Sequence, residues 1–482
     1  MIEINELKAA VEEGLKLVEK KKGVKEAEVY ASSNHLSTMR ICYATNVPSN
    51  GLEEPKSLED FGLSVRVLFS NGMVGFGSVD SDLSSAGIEE AFRKAERNKV
   101  MDTDFHSLPS PKGKPKISNY HDKEIMDLDD GRMIDSAWAT LNAAFNALEA
   151  KKFHKNLNIT GELNYLGERM AIVNTNGIDA TDESTISLGT LTTIFELEKD
   201  VAGMWFDSSP IMKKLDVEKI GATSVEKALK LIDAKSLDSG DYKVVLGRQV
   251  VSDLMYSRFA VELNSYDQKS TPYVGKLDTQ IWSNSMAVSD DALLKDAIGT
   301  KAITDEGLPT AKTELVKDGK LVNLLSNDYY AKKYKGDERF NAANGFRFGG
   351  GGRNYGSDAG IHATNIVIEP GEFSDEELVK AVNDGIYIGR IWYSYPVNGS
   401  ASSDFTSTIR GDSYIIKNGE IDKGLIPNTF RINDNLDRIF NRVIGLSKEK
   451  LATIAWGQEA VVVTPEIAVE SIRLDRIAKG LY

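Results

Sequence analysis

The sequence predicts an α+β protein, with an N-terminal α/β domain over residues 1–240 and a strand-rich domain with mixed or antiparallel sheets over 241–482. Three observations predict this. Strand-like alternation and helix-like periodicity both recur, but they do not alternate unit by unit as a doubly wound parallel sheet requires. Two Asn-Gly pairs, Asn71-Gly72 and Asn176-Gly177, stand beside alternating segments and read as tight antiparallel hairpins. From Asp241 onward the pattern turns to strands and loops with short helices.

Ile4, Leu7, Val11, Leu15 and Val18 recur at three- and four-residue steps, so the chain opens with an amphipathic helix that Gly23 ends. Ala27, Val29 and Ala31 alternate with polar residues, and Leu63, Val65, Val67 and Phe69 do so more strongly. Both segments read as strands, and Met73 to Val79 pairs across the first Asn-Gly turn. Ser84 or Ser85 can cap a helix whose Ile88, Ala91, Phe92 and Ala95 face inward. The stretch Pro109 to Ile117, in a loop near 101–125, is rich in proline and lysine and reads as a linker or surface loop.

Met133, Ile134, Ala137, Trp138, Leu141, Ala144, Phe145 and Leu148 mark the clearest amphipathic helix. Val217, Ile220, Val225, Ala228, Leu229 and Ile232 mark another. Asp241 to Gly247 reads as a strand that runs into a helix-like segment from Val250 to Leu263. Ser374 and Glu377 make a capping box for the helix carrying Leu378, Ala381 and Val382.

Composition narrows the function. With 58 basic against 72 acidic residues the net charge is −14, which opposes direct nucleic-acid binding, a task that needs lysine and arginine in excess. No apolar run approaches the ~20 residues that span a bilayer, and Met1 to Lys22 lacks a signal-peptide core. One cysteine, Cys42, allows no internal disulfide and fits a cytoplasmic setting. Between Ile41 and Tyr43 it reads as a buried, inert thiol. His35, His106, His121, His154 and His362 do not pair at helical spacing. No nucleophile elbow and no phosphate-binding loop is present.

Two segments leave alternatives open. Gly349 to Gly352, among Phe346, Phe348, Arg353 and Tyr355, reads either as a flap over a peptide cleft or as a flexible surface loop. Ile391, Trp392, Tyr393, Tyr395 and Pro396 read as core, dimer interface or cleft wall.

Several short segments carry a resemblance. They are Glu26 to Ala31; Gly62 to Val67 with Gly72 to Phe76; Asp305-Glu306-Gly307 with Pro309-Thr310; and Lys317-Asp318-Gly319. Asn344-Gly345 with Arg347, Thr364-Asn365 with Pro370-Gly371, and Lys417 to Ile421 continue the series. In this order and spacing they resemble the TldD/PmbA family of metallopeptidases. The resemblance implies dimers with a cleft between or beside the subunits. A TldD-like branch is expected to hold zinc through a His-Glu-x-x-x-His helix and a later cysteine. A PmbA/TldE-like branch lacks these ligands and pairs with the first.

The helix window that matches the motif contains Ser252, Met255, Tyr256, Arg258 and Phe259, and the later window contains Ile409, Arg410 and Gly411. Neither carries a histidine or a cysteine. Catalytic zinc needs three protein ligands and an open position. The expectation is therefore no catalytic residue, metal or cofactor in this chain, zinc in a TldD-like partner, and a peptide as the shared substrate. Arg258, Asn344, Arg347, Gly349, Gly350, Arg353, Thr364 and Asn365 are the candidate walls of a substrate cleft. A homodimeric peptide-binding or regulatory protein, and a peptidase with an unrecognised site, are the alternatives.

Overall fold

Parity along one long strand organises the molecule. In the computed structural model, Val24–Ala44 pairs antiparallel with Lys56–Phe69 on one side and Leu157–Asn174 on the other. Successive side chains point to opposite faces. Ala27, Val29 and Ala31 point to one face and pack with Leu7, Val11, Leu63, Val65, Ile88 and Ala91. Glu28, Tyr30, Ser32 and Asn34 point to the other and are just as buried. The structure describes residues 1–482 except 49–50, 118–119, 154, 198–200, 350–351, 455–460 and 478–482.

The strand belongs to an antiparallel sheet that also contains Met73–Asp80, Asp179–Phe195 and Val201–Ser209. Both Asn-Gly pairs turn between neighbouring strands of this sheet. Helices Ile4–Val18, Ser85–Arg97, Asp130–Ala150 and Val217–Leu229 cover one face with the apolar stripes their spacing predicts. Ser84 is the N-cap of the second helix and accepts from Gly87 N. The proline/lysine-rich loop is fastened at its start: Leu108 N donates to Glu26 at 2.7 Å, and Asn174 Nδ2 donates to Pro109 O at 2.9 Å.

From residue 240 onward the chain builds two further large sheets. In one, Gly240–Leu246 lies between Gly385–Ile388, parallel, and Ile467–Arg476, antiparallel. In the other, Asn365–Ile368 runs parallel to Val461–Thr464 and antiparallel to Val288–Asp291. The fold class is α+β with mixed and antiparallel sheets. Helix Arg248–Arg258 follows strand Gly240–Leu246 and packs against strands from both sheets. Its Val250, Val251, Leu254 and Met255 enter a core with Trp282, Leu315 and Phe440. A separate short helix, Leu263–Asp267, follows. The capping box at Ser374 and Glu377 is formed, and both reciprocal bonds are present. Among the described residues no helix is long and apolar enough to cross a membrane.

Candidate functional site

The second face of the first sheet meets the later half of the chain in two different ways. Around residues 28–34 it is sealed. Two short antiparallel strand pairs lie on it, Gly345–Phe346 with Gly360–Ile361, and Phe348–Gly349 with Gly352–Arg353. Arg347 reaches Glu28 at 2.7 Å and Ser64 at 3.0 Å, and its guanidinium stacks 4.3 Å from the Tyr30 ring centroid. Arg353 holds Asp305 at 2.6 Å and pairs with Asp182, while its carbonyl accepts from Asn34 at 2.8 Å. Gly352 has a φ of 124° and lies so close that a Cβ would meet Asn34 Oδ1 at 2.8 Å, so glycine is required there.

These bonds settle where most of the candidate cleft residues lie. Arg347, Arg353, Asn344, Thr364 and Asn365 are all interior, at 0–2 % exposure. Asn344 Nδ2 and Thr364 N both donate to Asp290, whose carboxyl burial pushes up to about 6. Asn365 ties Asp291 O to Gly299 N. They brace the loops from inside. Gly349 pairs with Gly352 in the second strand pair, and Gly350 lies outside the described residues, as does His154.

At residues 40–44 the same sheet face opens. Arg40 and Cys42, opposite Glu162 and Thr160, form one wall of a cleft of about 660 Å³. Arg390, Trp392, Arg410 and Gly411 form the facing wall. The expected buried thiol is thus corrected: Ile41 takes the core side, so strand parity turns Cys42 outward, where it is exposed. Trp392 is likewise a cleft wall, and its ring lies 4.7 Å beneath the Arg410 guanidinium.

Arg410 N donates to Arg390 O at 3.0 Å, so these two residues face each other across the strand pair Ile391–Pro396 and Asp404–Ile409. Arg410 also donates to Asn428 at 2.8 Å. Asp412 is taken by Lys227 and by the Tyr414 hydroxyl at 2.9 Å. Arg390 makes no side-chain hydrogen bond and no carboxylate within ion-pair distance among the described residues. Burial, then the charge of Arg410, pushes it down to about 10, while Asp253 on the helix and Asp412 act the other way.

Helix Arg248–Arg258 carries a single carboxylate, Asp253, which accepts from Gln249 Nε2 at 3.5 Å. Ser252 and Met255 are buried, and Phe259 packs 4.9 Å from Trp282 and 5.6 Å from Tyr273. Tyr256 is 46 % exposed. Burial pushes Arg258 down, and its Nε lies buried without a hydrogen bond among the described residues. At the other window Ile409 is core, Gly411 has no side chain, and Arg410 is cationic. Among the described residues no three His, Cys, Asp or Glu side chains cluster as metal ligands would. Hydroxyls, a thioether and guanidiniums do not suit zinc, which takes thiolate, imidazole and carboxylate. Arg258 and Arg410 are legible in the sequence; Arg390 is not, because only the strand pairing places it beside Arg410.

Residues 239–476 match the PmbA/TldA metallopeptidase C-terminal domain, 49–99 match its domain 1 and 129–232 its central domain. This chain belongs to the PmbA/TldD metallopeptidase family. An uncharacterized protein of Methanocaldococcus jannaschii is 26% identical over 75% of this chain and 79% of its own length. A metalloprotease of Methanothermobacter thermautotrophicus is 25% identical over 48% of this chain and 49% of its own, so that likeness spans about half of each. The crystal structure of TldE from Thermococcus kodakarensis superposes with a TM-score of 0.83 at 21% identity, covering 97% of this chain and all of that one (100%). This PmbA/TldD family member therefore shares the TldE fold over nearly its whole length.

Proposed function

We propose that this chain is a PmbA/TldE-like subunit that carries no catalytic zinc and works beside a zinc-bearing, TldD-like chain on peptides. The observation that carries the reading is the donor set of the two windows. Where the family's catalytic branch is expected to place imidazoles and a thiolate, this chain has Ser252, Met255, Tyr256 and Arg258 on the helix and Arg410 on the later strand. A fixed guanidinium raises the cost of bringing a divalent cation to the same place. The role left to this chain is to shape the cleft and orient the peptide, which can lower a barrier substantially without contributing a reacting group.

Native co-purification with metal analysis tests this. The expected result is recovery of a partner bearing the His-Glu-x-x-x-His motif, with zinc and peptidase activity appearing only when both chains are present. Stoichiometric zinc and metal-dependent peptidase activity on this chain alone would overturn the reading, as would failure to recover such a partner.

A further inference from the structure

We propose that the cleft between Arg390 and the outward face of strand Val24–Ala44 binds a carboxylate of a peptide, with Arg390 as the direct contact and Arg410 as its neighbour. The claim deepens the reading above and rests on it for the peptide. It does not rest on the presence of any partner chain.

The first ground is the state of Arg390. A guanidinium taken out of water is costly unless it is paired. The most deeply buried arginines are paired: Arg347 with Glu28, Arg353 with Asp305 and Asp182, Arg66 with Glu28. Arg390 departs from that pattern, as the half-buried Arg258 does, although the chain has acidic residues in excess. Strand pairing instead sets a second guanidinium, that of Arg410, beside it. Two like charges in a half-buried place repel, and an anion entering between them removes that repulsion and supplies the missing partner.

The second ground is that the nearby acids are committed. Asp253, whose charge reaches Arg390 most, accepts from Gln249 Nε2 at 3.5 Å, and Asp412 is held by Lys227 and Tyr414. Glu162 accepts from Asn164 at 3.0 Å, and Glu53 lies 3.8 Å from Arg40. The third ground is shape and fabric. A cleft of about 660 Å³ holds a few residues of extended chain, and its walls offer Thr160, Thr190 and the flat face of Trp392. A planar carboxylate matches the two parallel N–H groups of a guanidinium, a fit that Arg410, stacked on Trp392, is held in place to share.

The test uses the full-length chain alone in calorimetric titration. The probes are acetyl-tetraalanine with a free C-terminal carboxylate, its C-terminal amide, and an amide-capped analogue with one internal glutamate. The expected result is that one carboxylate peptide binds and the plain amide binds more weakly by about tenfold or more, the loss that follows from removing a charged hydrogen-bond partner. Preference for the free C-terminus identifies the terminal carboxylate, and preference for the glutamate peptide identifies a side chain. Arg390→Gln should lower the affinity by a similar factor and Arg390→Lys should retain part of it. Arg93→Gln, on helix Ser85–Arg97 and outside the cleft lining, should leave it unchanged. Equal binding of acid and amide, no binding of any probe, or full binding by a folded Arg390→Gln variant overturns the proposal. Recovery of a zinc-bearing partner is scored separately, so each of the two readings can fail without the other.

Discussion

Arg353 and Asp305 meet at 2.6 Å with both side chains fully buried. The same guanidinium pairs with Asp182 on the first sheet, and Asp305 accepts from the Tyr30 hydroxyl at 3.2 Å. One arginine from the later half of the chain thus closes a charged junction with the earlier half. Removing it leaves two buried carboxylates without their cation. Arg353→Ala is expected to lower stability by about 3–5 kcal/mol, because breaking a buried pair strands the remaining charge. Arg353→Met, which keeps the volume, still strands both acids and should be nearly as harmful. The triple change with Asp182→Asn and Asp305→Asn should recover much of the loss. Urea unfolding of the three variants checks this, and an Arg353→Ala variant within about 1 kcal/mol of the parent would contradict it.

Glu306 sits behind that junction. Its carboxyl is pushed up to about 8, first by burial and then by the charge of Asp328, while Arg66 pulls it back and Asp328 N donates to it at 2.9 Å. Glu28 adds to the upward push. An unfolded glutamate titrates near about 4.3. Between about 4.3 and 8 the folded chain therefore holds a proton that the unfolded chain has released. Stability must fall as pH rises through that window, and the effect is gone below it. Asp182, pushed up to about 6 chiefly by burial, adds in the same direction at the acid end. Glu306→Gln keeps the acceptor for Asp328 N and removes the titration. Its urea midpoint is expected to exceed the parent's at pH 8.5 by more than at pH 6. A gap that does not widen with pH would count against this account.

How much of this was legible in the sequence follows from which physics each residue expresses. Val29, Val65 and Ile88 announce themselves by period, since apolar burial leaves a repeat in the chain. Asn71-Gly72, Ser84 and Ser374 announce themselves by local backbone chemistry. Glu28, Ser32, Ser64 and Arg66 occupy the alternate positions, where a polar residue looks like a solvent face. Here that face is covered: Arg347 bonds Glu28 and Ser64, and the Arg353 carbonyl takes Ser32, all from some 300 residues away in the chain, while Arg66 pairs with Glu28 and Asp358. No local pattern encodes such a partner. The same holds for Arg390, whose meaning depends on a strand register. Cys42 is readable by parity, because a strand that buries Ile41 turns the next side chain outward.

Gly221 shows how closely two helices meet on the covered face. A Cβ there would lie 2.0 Å from Thr140 O and 3.0 Å from Ala144 N, both on helix Asp130–Ala150. Helix propensity alone favours alanine over glycine by about 1 kcal/mol. The backbone contact outweighs it, because the two helices would have to separate. Gly221→Ala is expected to destabilise by about 1–3 kcal/mol, the cost of overpacking, with the far-ultraviolet circular dichroism unchanged. A stabilised variant would mean that the helices part readily.

Cys42 reports on the cleft directly. It is exposed on the wall that faces Arg390 and Arg410, while its neighbour Ile41 is 1 % exposed in the core. N-ethylmaleimide should therefore label the native protein at a rate within about tenfold of the urea-unfolded chain, since the thiol needs no unfolding to react. A carboxylate-terminated tetrapeptide filling the cleft should slow that labelling in proportion to its occupancy, and the amide-capped peptide should not. Arg390→Gln should leave the unliganded rate alone and abolish the protection, because the thiol stays exposed while the anion's partner is gone. Native labelling slower by several orders of magnitude would place Cys42 in an interior this strand parity forbids. Equal protection by both peptides would show that the cleft reads backbone or side chain and not charge.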